Sequence, residues 1–300
     1  MKYAMIAAAV AAVVAAPALA ASDACKADGE LTFAVVPAEN ASGSLERFTP
    51  TAEYLTTQIG TKVTLRVASD YAAVIEGHKA GNIHIGWHGP GSFARAYQVT
   101  DGNVTPFAAL SNNGVIGYYA VIYVKADSPY QTLEDLKGKK FGLVDPNSTS
   151  GNFALRFFMD RDEKIIPEQY FSDVVFTGSH ENAVIAVQQG TVDAAGNWWD
   201  NENSSNLRQM ATKGMVNYDD FRIVWKSPLL AGSPLVYVNS LSEPCKAAIQ
   251  EAFVNMKTVS PDTYTKFNDG QGEGFAPVKL EDYTDSMAMI AYVDELRKKQ

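Results

Sequence analysis

Three consecutive hydroxyl residues, Ser148, Thr149 and Ser150, stand where a strand gives way to a helix, in the run FGLVDPNSTSGNFALRFFM over 141–159. Phe141, Leu143 and Val144 read as a buried strand and Asp145-Pro146-Asn147 as a turn. Phe153, Leu155, Phe157 and Phe158 supply the apolar face of the helix that follows. A single hydroxyl at such a point is an ordinary helix cap. The first turn of a helix also presents backbone N–H groups with no internal partner, and about half a positive charge from its aligned peptide dipoles. Three hydroxyls added to those donors, framed by Pro146 and Gly151, make a cradle for a tetrahedral oxyanion. The chain has no G-x-x-x-x-G-K-[ST] run, so a Walker-type triphosphate site is excluded.

Two other helix starts carry groups suited to the same task. Asp70 precedes Tyr71 and Ser179 precedes His180; the helices stop at Gly81 and Gly190, and a strand follows each. Setting Gly81 on Gly190 aligns DYAAVIEGHKAGNIHIGWHG with SHENAVIAVQQGTVDAAGNW, so Tyr71 falls on His180 and His88 on Asn197. This reads as a repeated half-domain. Strands over 31–36, 62–68 and 83–87 alternate with helices over 48–59 and 71–80. The plan recurs with strands over 141–144, 173–176 and 192–195 and helices over 151–159 and 180–189. Such alternation predicts mostly parallel sheets flanked by helices, with ligand groups gathered at the carboxyl ends of the strands. Two rims then face each other: Tyr71 and His88 from one, Ser148, Thr149, Ser150, His180 and Asn197 from the other.

A lone histidine is usually a satisfied core residue, but the place of His180 on the hydroxyl rim makes it a ligand contact. A helix N-terminus disfavours imidazolium, so His180 is expected to give the ligand one neutral N–H. Trp198 and Trp199 leave a strand together, and neighbours on extended chain point opposite ways. One therefore packs in the core, and the other, taken as Trp199, faces the cleft beside Asp200 and covers an organic substituent or an ammonium group. Trp87 reads as a packing residue, and Glu181 as a solvent-facing or helix-capping one.

Composition narrows the function. The first twenty residues, MKYAMIAAAVAAVVAAPALA, have the charged start, short apolar run and small-residue cleavage site of an export signal, which predicts a periplasmic product. The remaining length suits two lobes, one discontinuous over 22–120 and 234–300, the other over 121–233, with two adjacent crossings as a hinge. A net charge of −9 without a basic stripe excludes nucleic acid as partner, and it favours a buried site of neutral donors over a lysine patch. Cys25 and Cys245 are expected to pair in an oxidising compartment. The four histidines lack metal-ligand spacing, and no metal or cofactor is called for. A secreted phosphoryl hydrolase with Ser148 as nucleophile and His180 as base is the remote alternative, since no G-x-S-x-G run occurs.

The segments DYAAVIEG, IHIGWHGPGSF, DPNSTSG, GSHENAVIAV and IVWKSPLLAGSP together resemble the phosphonate/phosphite substrate-binding components of ABC importers, over nearly all of the mature chain. The resemblance implies a two-lobed type II periplasmic binding protein fold. It also implies a monomeric receptor, not an enzyme, that serves an inner-membrane ABC permease. Its ligand would be a small phosphorus oxyanion, 2-aminoethylphosphonate ahead of phosphite or a simple alkylphosphonate. Residues carried over to clasp the phosphonyl oxygens are Tyr71, His88, Ser148, Thr149, Ser150 and His180, although relatives commonly have tyrosine or phenylalanine at the position of His88. Members that take 2-aminoethylphosphonate hold its ammonium with acidic residues. One of these positions matches Asp200; the other matches Ser233, which has no charge.

Overall fold

The computed structural model describes residues 23–112 and 114–299; the export segment 1–20 lies outside them. The chain runs through β1 (Leu31–Val35), α1 (Ala41–Ile59), β2 (Val63–Val67), α2 (Tyr71–Lys79), β3 (Ile85–Trp87), α3 (Pro90–Val99), β4 (Val104–Ser111) and β5 (Gly117–Lys125). Next come β6 (Lys140–Leu143) and a π-helical turn (Thr149–Phe153) that continues into α4 (Ala154–Glu163). They are followed by α5 (Pro167–Tyr170), β7 (Asp173–Phe176), α6 (His180–Gln188), β8 (Ala194–Asn201), β9 (Ser204–Ser205) and α7 (Asn206–Thr212). The last part holds β10 (Phe221–Lys226), β11 (Leu230–Ala231), β12 (Pro234–Val238), α8 (Glu243–Val259), α9 (Pro261–Asn268), β13 (Gly274–Pro277) and α10 (Thr284–Lys298).

These elements form two helix-flanked sheets, ordered β13-β4-β12-β3-β1-β2 and β10-β5-β8-β6-β7. Both are mixed. The trios β2-β1-β3 and β7-β6-β8 are parallel, and the remaining neighbours on each path are antiparallel. The two parallel trios are the repeated half-domain in three dimensions. Asp70 accepts the Ala73 N–H at 2.7 Å to start α2, and Ser179 accepts the Asn182 N–H at 3.1 Å to start α6. Both helices end before a glycine with φ of +71°, Gly81 and Gly190, in the left-handed region where a Cβ is strained. Helix α1 starts well ahead of the apolar pattern at Phe48, because Asn40 caps it by accepting the Gly43 N–H; Pro50 is carried inside it.

Each sheet has its own core. Phe33, Leu55, Phe253 and Phe267 pack in the first, Phe141, Phe153, Leu155 and Met159 in the second. Each such side chain contributes roughly 1.5–3 kcal/mol by leaving water. The chain leaves the first sheet between β4 and β5 and returns between β11 and β12. Helix α10, which the sequence reading groups with the first lobe, lays Met289, Ile290 and Val293 in the second core. Its Asp294 also pairs with Arg95 of α3 at 2.6 Å, so this helix ties the halves together. Cys25 and Cys245 are joined, fixing the N-terminal segment to the start of α8.

Candidate functional site

The hydroxyl run opens the π-helical turn. Ser148 caps it, its Oγ accepting the Gly151 N–H at 3.1 Å, and the first backbone bond of the turn runs from the Phe153 N–H to the Ser148 carbonyl at 3.0 Å. The N–H groups of Thr149 and Ser150 therefore precede any internal bond of the turn and share the rim with the hydroxyls. Gly151 is required by close approach: a Cβ there would lie 2.3 Å from Val144 Cγ2, at the end of β6. Although nearly inaccessible from outside, Ser148, Thr149 and Ser150 line a cavity of about 180 Å³ between the two sheets.

The opposing wall comes from the first half of the molecule, with Tyr71 at the start of α2, His88 after β3 and Gly89 at the start of α3. Tyr118 of β5 and Ser233 between β11 and β12 complete it where the chain crosses. The halves are closed on each other. Thr149 Oγ1 accepts the Gly91 N–H at 2.8 Å, an approach that side chains at Gly89 and Gly91 would obstruct. Glu181, read from the sequence as solvent-facing or capping, is buried in the same contact: its carboxylate accepts the backbone N–H of Asn40 at 3.0 Å and its side-chain amide at 3.1 Å. Lys213 adds a bridge to Glu39 at 2.6 Å.

Electrostatically the cavity holds neutral donors. Burial pushes the Tyr71 hydroxyl far up and that of Tyr118 to about 12. Nearby hydroxyls oppose the rise: Ser148 for Tyr71, and Thr149, Ser150 and Ser233 for Tyr118. Burial also lowers His180 to about 4, with its Asn197 bond opposing, and holds His88 well below the ordinary histidine range. Among the described lining residues the one permanent cation is Arg47, and Glu39 and Asp269 at 3.4 Å neutralise it.

Three residues stand otherwise than their sequence pattern suggests. His180 does not offer the cavity its N–H. The Asn197 amide donates to the His180 carbonyl and its Oδ1 accepts the Trp198 N–H, so Oδ1 also accepts from His180 Nδ1 at 2.8 Å. The neutral ring turns a bare Nε2 toward Ser148 Oγ at 3.4 Å. Asn197 itself is outside the cavity lining and acts by positioning His180. Trp198 lines the cavity, whereas Trp199 packs on Tyr119 with ring centres 5.8 Å apart, under the Lys226 ammonium. Trp87, read as packing, does both, lying against Phe48 and Phe267 and on the cavity wall.

Asp200 lines the cavity and accepts from Asn112 Nδ2 at 2.6 Å; burial raises its carboxyl, and the bonds from Asn112 and Ser204 oppose this. Sequence reasoning missed Tyr118, hidden in an apolar strand, and His78, whose Nε2 lies 3.0 Å from that of His88. Among the described residues no group of histidine, cysteine and acidic side chains could hold a metal.

Two helix-flanked lobes closed over a cleft at the carboxyl ends of their strands define a type II periplasmic binding protein. More narrowly, the chain belongs to the family of periplasmic substrate-binding proteins of ABC phosphonate transporters, whose sequence pattern matches residues 33–283. It is 32% identical over 230 residues to the phosphonates-binding periplasmic protein of Escherichia coli K12, a match covering 75% of this chain and 65% of that protein, just under two thirds of its length. It is 30% identical over 270 residues to the phosphate-import protein PhnD of Mycolicibacterium smegmatis, covering 84% and 82%. In fold it resembles a binding protein component of an ABC phosphonate transporter from Pseudomonas aeruginosa, with a TM-score of 0.77, 24% identity and coverage of 88% and 86%.

Proposed function

We propose that this protein is a periplasmic receptor that closes on a small phosphonate and presents it to an inner-membrane permease. The favoured ligand is 2-aminoethylphosphonate, ahead of phosphite or a simple alkylphosphonate. The observation that carries the reading is the trio Ser148, Thr149 and Ser150, set at a helix start on the wall of a small cavity between the lobes. Hydrogen bonds to an oxyanion contribute roughly 1.5–3 kcal/mol each. About six of them, less the ordering costs, support micromolar or tighter capture.

The relatives differ by name, one for phosphonates and one for phosphate import. What favours an aminoalkyl substituent here is Asp200 beside Trp198 on the cavity wall, a pair that repels a fourth phosphate oxygen and welcomes an ammonium. With Ser233 uncharged, a single carboxylate does this. In calorimetry, Asp200→Asn is expected to weaken 2-aminoethylphosphonate about tenfold, the worth of one charge-assisted bond, and to leave methylphosphonate unchanged or tighter. Equal losses for the two ligands would remove Asp200 from selectivity.

One observation favours hydrolysis as a second reading. Ser148 Oγ, His180 Nε2 and Asn197 Oδ1 follow one another with the connectivity of nucleophile, base and orienting group. Against it, the Ser148 oxygen already accepts the Gly151 N–H, and 3.4 Å is long for proton transfer to His180. A chromogenic phosphate monoester should therefore be left intact; turnover that disappears in Ser148→Ala would establish the hydrolase.

A further inference from the structure

We infer that His88 meets the ligand as a hydrogen-bond acceptor, its tautomer set through His78 by the Ile83 carbonyl, so that the site captures its phosphorus oxyanion together with one proton. The inference rests on the receptor reading above and assigns His78 as a positioning residue for it. A carbonyl oxygen only accepts, so His78 Nδ1, 3.0 Å from the Ile83 oxygen, carries the hydrogen of that ring. His78 Nε2 is then a bare lone pair, and His88 Nε2, 3.0 Å away, must carry the hydrogen between them. What remains on His88 is an unprotonated Nδ1, which is buried and has no partner, on a residue of the cavity wall. Gly86 makes room for the pair, since a Cβ there would lie 2.5 Å from His78 Nε2 and 2.9 Å from His88 Nε2.

A buried acceptor without a donor is costly, and no described residue supplies the donor. None of the described titratable groups that share the cavity is bonded to this nitrogen, and the Nδ1–H of His180 is engaged with Asn197. Asp200 is an acceptor held by Asn112, and Glu39 and Arg47 are paired. Burial disfavours a second proton on either ring in the free protein; the Ile83 carbonyl opposes this at His78, while His84 adds to it there and His78 adds to it at His88. The donor therefore arrives with the ligand, as the P–O–H of a monoanion. A dianion enters only by bringing a proton to the same nitrogen. The neutral protein and a dianion thus combine with one proton from solvent, and no covalent bond other than that to hydrogen forms or breaks.

The sign follows. Below the second pKa of the ligand, affinity is flat with pH; above it, the monoanion falls tenfold per pH unit, and so does affinity. The probe is methylphosphonate, which has no ammonium, titrated calorimetrically into the intact chain at one and two pH units above its second pKa, in Tris and in HEPES. Uptake of about one proton per ligand and a tenfold loss per unit are expected. His78→Gln, whose amide can accept from His88 and donate to Ile83, should keep that profile. His78→Leu frees His88 to turn an N–H to the ligand and should flatten it. Binding that is tight but independent of pH and buffer in the wild type overturns the inference and spares the receptor reading. The same profile in all three proteins also overturns it. Absence of binding to methylphosphonate, 2-aminoethylphosphonate, phosphite and phosphate at every pH overturns the receptor reading itself. If His78→Leu does not fold, nitrogen-15 spectra of the ligand-free wild type decide: His88 protonated at Nε2 alone supports the assignment, and protonation at Nδ1 contradicts it.

Discussion

Thr149→Val is expected to weaken phosphonate binding more than tenfold while the melting temperature of the ligand-free protein moves by only a few degrees. Valine keeps the shape of the side chain and removes its hydroxyl. In the closed form that oxygen accepts the Gly91 N–H from the other half of the molecule, which leaves its own hydrogen for an oxyanion. One atom thus serves both closure and capture. Its loss removes a charge-assisted bond of roughly 1.5–3 kcal/mol and strips a buried N–H of its partner. Where the lobes part, water can meet Gly91, and the fold itself then loses little. Calorimetry and thermal melting of the same preparation separate the two effects, and unchanged affinity would remove the hydroxyl run from the site.

The largest stability effect should come from the opposite end of the first lobe. Cys25→Ser combined with Cys245→Ser is expected to lower the unfolding free energy by about 2–5 kcal/mol, through a lower denaturant midpoint. The disulfide spans 220 residues of sequence, so it restrains almost the whole unfolded chain, and both sulfurs are wholly buried in the first core. Neither cysteine lines the cavity, and phosphonate affinity of the folded double variant should match that of the parent. A change in stability below about 0.5 kcal/mol would mean that the crosslink adds nothing beyond the packing around it.

Legibility in the sequence followed the range of the interactions. The repeat could be read because its signals are local: Asp70 and Ser179 begin their helices with bonds three residues on, and Gly81 and Gly190 end them. Strand β4 could not, because Pro106 breaks its pattern. It is tolerated where the register against β12 shifts between Leu235 and Val236, leaving Phe107 as an extra residue. The hydroxyl run announced itself, since all its cues lie within one turn.

The rest of the site depends on partners that periodicity does not encode. Whether His180 donates to the cavity or accepts is decided by Asn197, 17 residues away, whose amide is oriented by Trp198. The alternation of β8 allows either tryptophan to face inward, and register settles it: Trp199 stands opposite Tyr119, and Trp198 opposite Ala120. Glu181 is an exposed helix-start acid by pattern alone; its bonds to Asn40 reach across 141 residues and exist only when the lobes meet.

A crystal structure of the protein grown with 2-aminoethylphosphonate tests the central claim most directly. The account predicts phosphonyl oxygens within hydrogen-bond reach of the hydroxyls of Ser148, Thr149 and Ser150, inside the closed cavity and with no covalent bond to Ser148. A phosphonate lodged elsewhere, with those three hydroxyls turned to solvent, would contradict it.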